Sequence, residues 1–373
     1  MRTVTLIAAV TLMGAVPPHA AGQPGRPSAD WPQFRGEPTL GGISQTVVPD
    51  DPRLLWTFEA GDAVDSSAAI ADGVVYVGTY AGDLIALDLD DGALRWRYRT
   101  SDDGIGESSP AVGDDTVYIG DLAGVLHAVD VETGKARWTF ATDSEIKSSP
   151  VIVGDTVLIG SYDNFLYGLT AADGVLVWKV ETSSFVHATP AVVNGIAYFG
   201  GCDEQFRGIR VADGEEVFAV SSGAYTAASP AIAGGVAYYG TFDNEVLALD
   251  LEAGVVQWRY EHPTRHFPFY SSPALRDGLV VLGGRDRMVH AIDVATGEAR
   301  WTFTARSRID SSPAIVGDRV YIGSNDGRLY GLGLHDGHGL WEYEIGSAIT
   351  ASPAVASGRI VVGAQDGTIY CFG

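Results

Sequence analysis

Eight positions in this 373-residue chain join regular spacing to irregular chemistry. Two residues before each member of a recurring Ser/Thr series stand Asp65, Glu107, Lys147, His187, Ala227, Tyr270, Asp310 and Thr350. Carboxylates from three of these positions, facing a basic sector at Lys147 and His187, would line a polar funnel able to hold a small ligand or a partner's side chain. The same variability also fits a loop end free to accept any residue. The segment "EHPTRHFPFY" (261–270) is more particular, because Arg265, His266, Phe267, Phe269 and Tyr270 mix cations with aromatics, as protein and small-molecule contacts do. Arg285 and Arg287 fall in the adjacent turn of the same unit, and the alternative is a loop packed over that unit.

Catalysis and metal binding find less support. His187 has no two identifiable partner ligands, and a solvated or hydrogen-bonded histidine explains it better. The stretches "SYDN", "TFDN" and "SNDG" hold calcium-type residues, yet they recur at one turn of each unit and read as Asx-type turns. Serines recur for packing reasons, so no Ser-His-Asp triad can be singled out. No catalytic, cofactor-binding or metal-ligating residue is assigned.

What positions these residues is a repeat. An aromatic landmark recurs at Trp56, Trp96, Trp138, Trp178, Phe218, Trp258, Trp301 and Trp341, in steps of 40 to 43 residues. The Ser/Thr landmark recurs at Ser67, Ser109, Ser149, Thr189, Ser229, Ser272, Ser312 and Ser352. From hydroxyl to next aromatic is 29 residues in all seven complete units, whereas aromatic to next hydroxyl varies from 11 to 14. Length variation is therefore confined to one connection per unit.

Within the constant stretch, β-rich runs such as AIV, RVYIG, RLYGL and GLW alternate with Gly-Asp, Asn-Asp-Gly and Asp-Gly turns. Four short strands fill about 40 residues, and the expected fold is all-β, an eight-bladed propeller of four-stranded antiparallel blades over 51–373. The last unit stops after its third strand at "TIYCFG", so the strand around Trp56 is expected to complete it. A blade widens outward, which places small Ser, Thr, Ala and Pro at the axis and the indoles at the rim. Phe218 replaces the indole once, and looser docking is expected there.

The first residues, 1–22, read as a signal peptide, with Arg2, an apolar run from Val4 to Val16 and small residues Ala20 to Gly22. That run is shorter than the ~20 residues of a membrane span. Residues 23–50 are expected to form an irregular strap. A net charge of −23, with only Lys135, Lys147 and Lys179 as lysines, argues against nucleic acid or an anionic membrane as partner. The first cysteine is Cys202, far from any lipidation position, and a bridge to Cys371 is not expected.

The pattern AxDxxTGxxxW, complete in "AVDVETGKARW" (128–138) and "AIDVATGEARW" (291–301), resembles the tryptophan-docking motif of pyrroloquinoline-quinone (PQQ) repeat propellers. Looser copies such as "ALDLDDGALRW" extend the resemblance over nearly all of 51–373. That superfamily includes quinoprotein dehydrogenases, which are longer, often carry adjacent cysteines and bind calcium beside the quinone, and non-enzymatic BamB-like scaffolds. Length and blade number favour the BamB-like branch, although the lipidation cysteine is missing. The expectation is a non-catalytic, cofactor-free, monomeric protein, periplasmic or secreted, that binds a protein partner of the cell envelope or exterior through its variable loops. The alternatives are a dehydrogenase-like quinoprotein with PQQ and calcium, or a ligand-sensing propeller.

Overall fold

The computed structural model describes residues 30–373. The signal-peptide expectation for 1–22 and the first residues of the strap lie outside the described residues. Eight antiparallel four-stranded blades form a ring, with no helix among the described residues. Blade 1 runs from an inner strand Ala69–Ala71 through Val74–Gly78 and Asp83–Asp88 to an outer strand Leu94–Arg99. Its first three strands are almost entirely buried, while the outer one alternates between exposed and half-buried residues, as one solvated face requires.

Blade 8 is built from both parts of the chain. Ala354–Ala356, Arg359–Gly363 and Thr368–Phe372 take Leu54–Glu59 as their outer strand, with Trp56 opposite Cys371. Arg53 and Gly373 exchange backbone hydrogen bonds of 3.0 and 3.1 Å beyond the ladder. Cys202 and Cys371 are both free thiols.

Each rim indole belongs to one blade and docks on the next. Trp56, Trp96, Trp138, Trp178, Trp258 and Trp301 donate Nε1–H to a neighbouring backbone carbonyl at 2.8–3.0 Å. The turn offers hydroxyl, carboxylate and carbonyl acceptors, and the carbonyl takes the bond. Gly174 shows why the motif ends in glycine, since its φ is +69° and a Cβ there would lie 2.4 Å from the Trp138 ring. At the blade 4–5 seam Phe218 has no N–H to donate and stays 3.8 Å from the corresponding position on Gly254. Trp341 meets the terminal blade and packs edge-on against Phe372 at 5.6 Å.

The Ser/Thr landmark does more than let blades approach. Each landmark amide donates to the side-chain hydroxyl of the next landmark: Ser67 to Ser109, Ser109 to Ser149, and so on through Thr189, Ser229, Ser272, Ser312 and Ser352 back to Ser67. All eight bonds are 2.9–3.0 Å long and buried, so a closed belt encircles the axis. Size alone would have admitted Ala; satisfying a buried amide requires the hydroxyl.

Residues 30–50 cross below this belt. Trp31 bridges to Ile70, then Val112, Val192, Ile232, Leu275 and Ile315 donate in turn to the carbonyls of Pro32, Pro38, Thr39, Gly41 and Gly42. Ile43–Ser44 finally pairs in parallel with the inner strand Ala314–Val316 of blade 7. Arg35 is fully buried at the axis, bonded to the carbonyls of Pro313 and Pro273, and burial lowers its pKa to about 9. The segment thus meets the inner-strand amides of six blades.

Candidate functional site

In every blade the link from outer strand to next inner strand and the turn between the second and third strands share one face. Six of the polar funnel residues converge with Arg285 on a single cup of about 230 Å³ above the belt: Asp65, Glu107, Lys147, His187, Tyr270 and Asp310. Thr350 joins them, Ala227 leaves a gap, and Phe34 reaches the cup from the segment below.

Three of these residues bond across the axis from blades 2, 4 and 6. The Tyr270 hydroxyl donates to Glu107 Oε2 at 2.6 Å and lies 2.9 Å from His187 Nε2, which is 3.2 Å from the same Oε2. His187 Nδ1 is 2.6 Å from the Tyr162 hydroxyl. Burial alone would raise the Glu107 pKa, but the hydrogen bond and charge of His187, the Tyr270 hydroxyl and Lys147 outweigh it and bring the group down to about 2. The Tyr270 phenol moves the other way, far above its ordinary value, through burial and the adjacent Glu107 charge. Held protonated, the phenol is the donor in its bond to Glu107.

The remaining polar groups pair off locally. Asp310 accepts from Arg285 Nε at 2.6 Å and Arg308 Nε at 2.9 Å, and the Arg285 guanidinium lies 4.6 Å over the Tyr270 ring. Lys147 Nζ is 3.4 Å from Glu145 and 5.0 Å from the Tyr162 ring centroid. Asp65 is bonded to Thr350 and Gln365 and has its pKa raised by burial, with the Glu107 and Asp310 charges adding to the rise and the Thr350 and Tyr80 hydroxyls opposing it.

The link 261–270 divides. Arg265 Nη1 donates to the Asp286 carbonyl, His266 is exposed beside Glu261, and Phe267 is exposed. Phe269 does not belong to the binding face: it is 2 % exposed and fills the core beneath Gly240, where a Cβ would lie 2.5 Å from its own. It occupies the place held by Ile146, Val186, Ile309 and Ile349 in other links, an apolar residue one before the funnel position. Aromatic character in a variable link therefore does not by itself mark a contact surface. Arg287 is exposed in the turn of blade 6.

A second ring stands beside the funnel positions and is not marked by the residues two before each landmark. Thirteen residues after each landmark stand Tyr80, Leu122, Tyr162, Cys202, Phe242, Arg285, Asn325 and Gln365, as chemically varied as the first ring and as regularly spaced. Each donates its amide to a carbonyl of its own blade's link, for example Tyr162 to Glu145 and Phe242 to Tyr225 at 2.9 Å. Tyr80, Tyr162, Arg285 and Gln365 all act on the cup, and the constant interval of 13 was the signal that could have found them.

The sequence profile of the family described as outer membrane protein assembly factor BamB matches residues 42–147, 100–218, 124–267 and 266–373. The chain belongs to the BamB family. The BamB of Moraxella catarrhalis has the same fold, with a TM-score of 0.72 at 19% identity over 86% of this chain and 97% of that one. The quinohemoprotein alcohol dehydrogenase of Comamonas testosteroni superposes with a TM-score of 0.79 at 15% identity, over 93% of this chain and 81% of that one. A computationally designed protein, Ika8, reaches 0.76 at 18% identity, over 86% and 99%. No curated protein matches this BamB-family chain in sequence. The PQQ-repeat resemblance and the eight-bladed architecture are thereby established, and a BamB, an alcohol dehydrogenase and a designed protein sharing one propeller show that the ring alone does not assign a role.

Proposed function

We propose that the protein is a non-catalytic, exported propeller that binds a protein partner in the cell envelope through the loop face around the cup. The observation that carries this reading is the confinement of chemical variety to that face, on two rings held by an otherwise repeated scaffold. The family match gives the scaffold role its direction. The partner is met in the periplasm or outside the cell.

A dehydrogenase-like role is less well supported by the cup. PQQ is a flat tricarboxylate, and the space it would enter is crossed by the Glu107, Tyr270 and His187 triangle. The cations at the cup already have carboxylate partners, Arg285 and Arg308 on Asp310 and Lys147 on Glu145. The residues present do not fit the cofactor.

The reading is tested by placing a photocrosslinking residue at Tyr225 on the loop face or at Leu94 on the outer strand of blade 1, and identifying adducts formed in cells. A specific adduct from Tyr225 and none from Leu94 is expected. The opposite pattern, or a thermal shift with PQQ and calcium accompanied by dye-linked alcohol oxidation, would overturn it.

A further inference from the structure

The loop face is unevenly charged. The chain as a whole has 47 Asp and Glu against 24 Lys and Arg, yet one ledge reverses the balance. It comprises the link 261–270, the turn 284–287 and the link 305–310, which together hold Arg265, Arg285, Arg287, Arg306 and Arg308 against Glu261, Asp286 and Asp310. Backbone hydrogen bonds of 2.8–3.2 Å fuse the three pieces, from Arg285 to Pro268, Ala305 to Arg287 and Ile309 to Gly284. The three carboxylates are already engaged: Asp286 is buried beside His290, Asp310 holds Arg285 and Arg308, and Glu261 holds His266. At the border, Asp326 accepts the Arg306 amide and the Tyr330 hydroxyl. Arg287 and Arg306 are exposed.

Beside this ledge lies an arc of exposed rings. Phe185, Tyr225, Phe242 and Phe267 are 46%, 53%, 36% and 50% accessible, and all four belong to links or turns of the same face. The arc runs into the ledge without a gap, since the Phe242 ring is 6.2 Å from that of Tyr270, which carries the Arg285 guanidinium. Exposed apolar groups gathered on one face mark a contact surface. On the far side of the cup the links carry Asp62, Asp102, Asp103, Asp143 and Glu145, which would repel an acidic ligand and so fix its orientation.

We propose that the partner is captured through an extended acidic segment, with its carboxylates on the exposed Arg287 and Arg306 of the ledge and its apolar side chains on the aromatic arc. The proposal rests on the loop-face reading above and names the chemistry of what that face receives. Arginine suits the task because its planar fork donates two parallel hydrogen bonds to a carboxylate, and rim charges of this kind speed encounter as well as holding the complex.

The test uses the full chain and fluorescein-labelled peptides in which Leu alternates with Glu, Gln or Lys, followed by fluorescence anisotropy at low and high salt. The Glu peptide is expected to bind most tightly and to weaken as salt rises. Arg287→Glu with Arg306→Glu should weaken it on the order of tenfold, and Phe185→Ser with Phe242→Ser comparably. Circular dichroism and melting confirm that these surface variants fold. A Glu peptide that binds no better than its Gln counterpart, or a charge reversal without effect, overturns the proposal. So does a dimer in sedimentation velocity that the reversal dissociates, because the ledge would then be receiving the acidic sector of a second copy. A Tyr225 crosslink to a partner without an acidic segment would sink this inference and leave the loop-face reading standing.

Discussion

Replacing Phe218 with Trp is expected to stabilise the ring at its one seam without an indole. Six indoles donate to a carbonyl of the next blade, and in four of them, Trp56, Trp138, Trp178 and Trp301, the acceptor lies 33 residues on. The same interval from Phe218 reaches Leu251, whose carbonyl stands in the equivalent place. One such hydrogen bond contributes about 1 kcal/mol net. The wider indole would also close part of the 3.8 Å approach to Gly254, where other indoles come within 2.4–2.8 Å of the same Cβ position. Covering some 30 to 40 Å² of extra apolar surface adds about 1 kcal/mol, reduced because Phe218 is only half-buried. The sum is about 1 to 2 kcal/mol, and the reciprocal Trp178→Phe should lose a similar amount. Urea denaturation of both variants, followed by tryptophan fluorescence and circular dichroism, measures the difference. If Phe218→Trp is neutral or destabilising while Trp178→Phe is tolerated, carbonyl capture by the indole is not what joins the blades.

Three further outcomes are expected. Ser149→Ala strands the buried Ser109 amide and should cost about 1 to 3 kcal/mol, whereas Ser149→Thr, the residue already used at Thr189, should cost far less; equal losses in urea would refute the belt. Glu107 has its folded pKa depressed to about 2, so its contribution is present above the unfolded value near 4.5 and is lost as pH falls through that window. Glu107→Gln should therefore flatten the acid limb of the stability curve, and Tyr270→Phe should raise the Glu107 pKa in a carbon-13 NMR titration. Arg35→Met removes the bonds to Pro273 and Pro313 and is expected to speed hydrogen exchange at the Leu275 and Ile315 amides while leaving the rim blades protected.

The architecture was legible because its signals are periodic. Trp-to-Trp intervals, the fixed 29-residue stretch and the orphan strand at Trp56 each constrain closure, and blade 8 assembles as those intervals require. The purpose of Ser109 or Ser149 was not legible, because a small side chain and a hydrogen-bond acceptor look alike in a sequence until the neighbouring amide is located. The funnel residues converged as their spacing implied, but Phe269 shows the limit: an aromatic in a variable link can face inward, and only the packing under Gly240 decides. The cross-axis bonds of Tyr270 to Glu107 and His187, 163 and 83 residues away, depend on ring diameter and side-chain reach, which no local pattern encodes.

Because one blade takes strands from opposite parts of the polypeptide, a single strand pairing joins residues more than 300 positions apart and closes the circle. Without Thr368–Phe372, seven blades would keep their partners and two raw edges, Leu54–Glu59 and Arg359–Gly363, would present unanswered amides and carbonyls. Edges of that kind are templates for pairing with other chains, so the match of Leu54–Glu59 to Thr368–Phe372 also removes a site of aggregation.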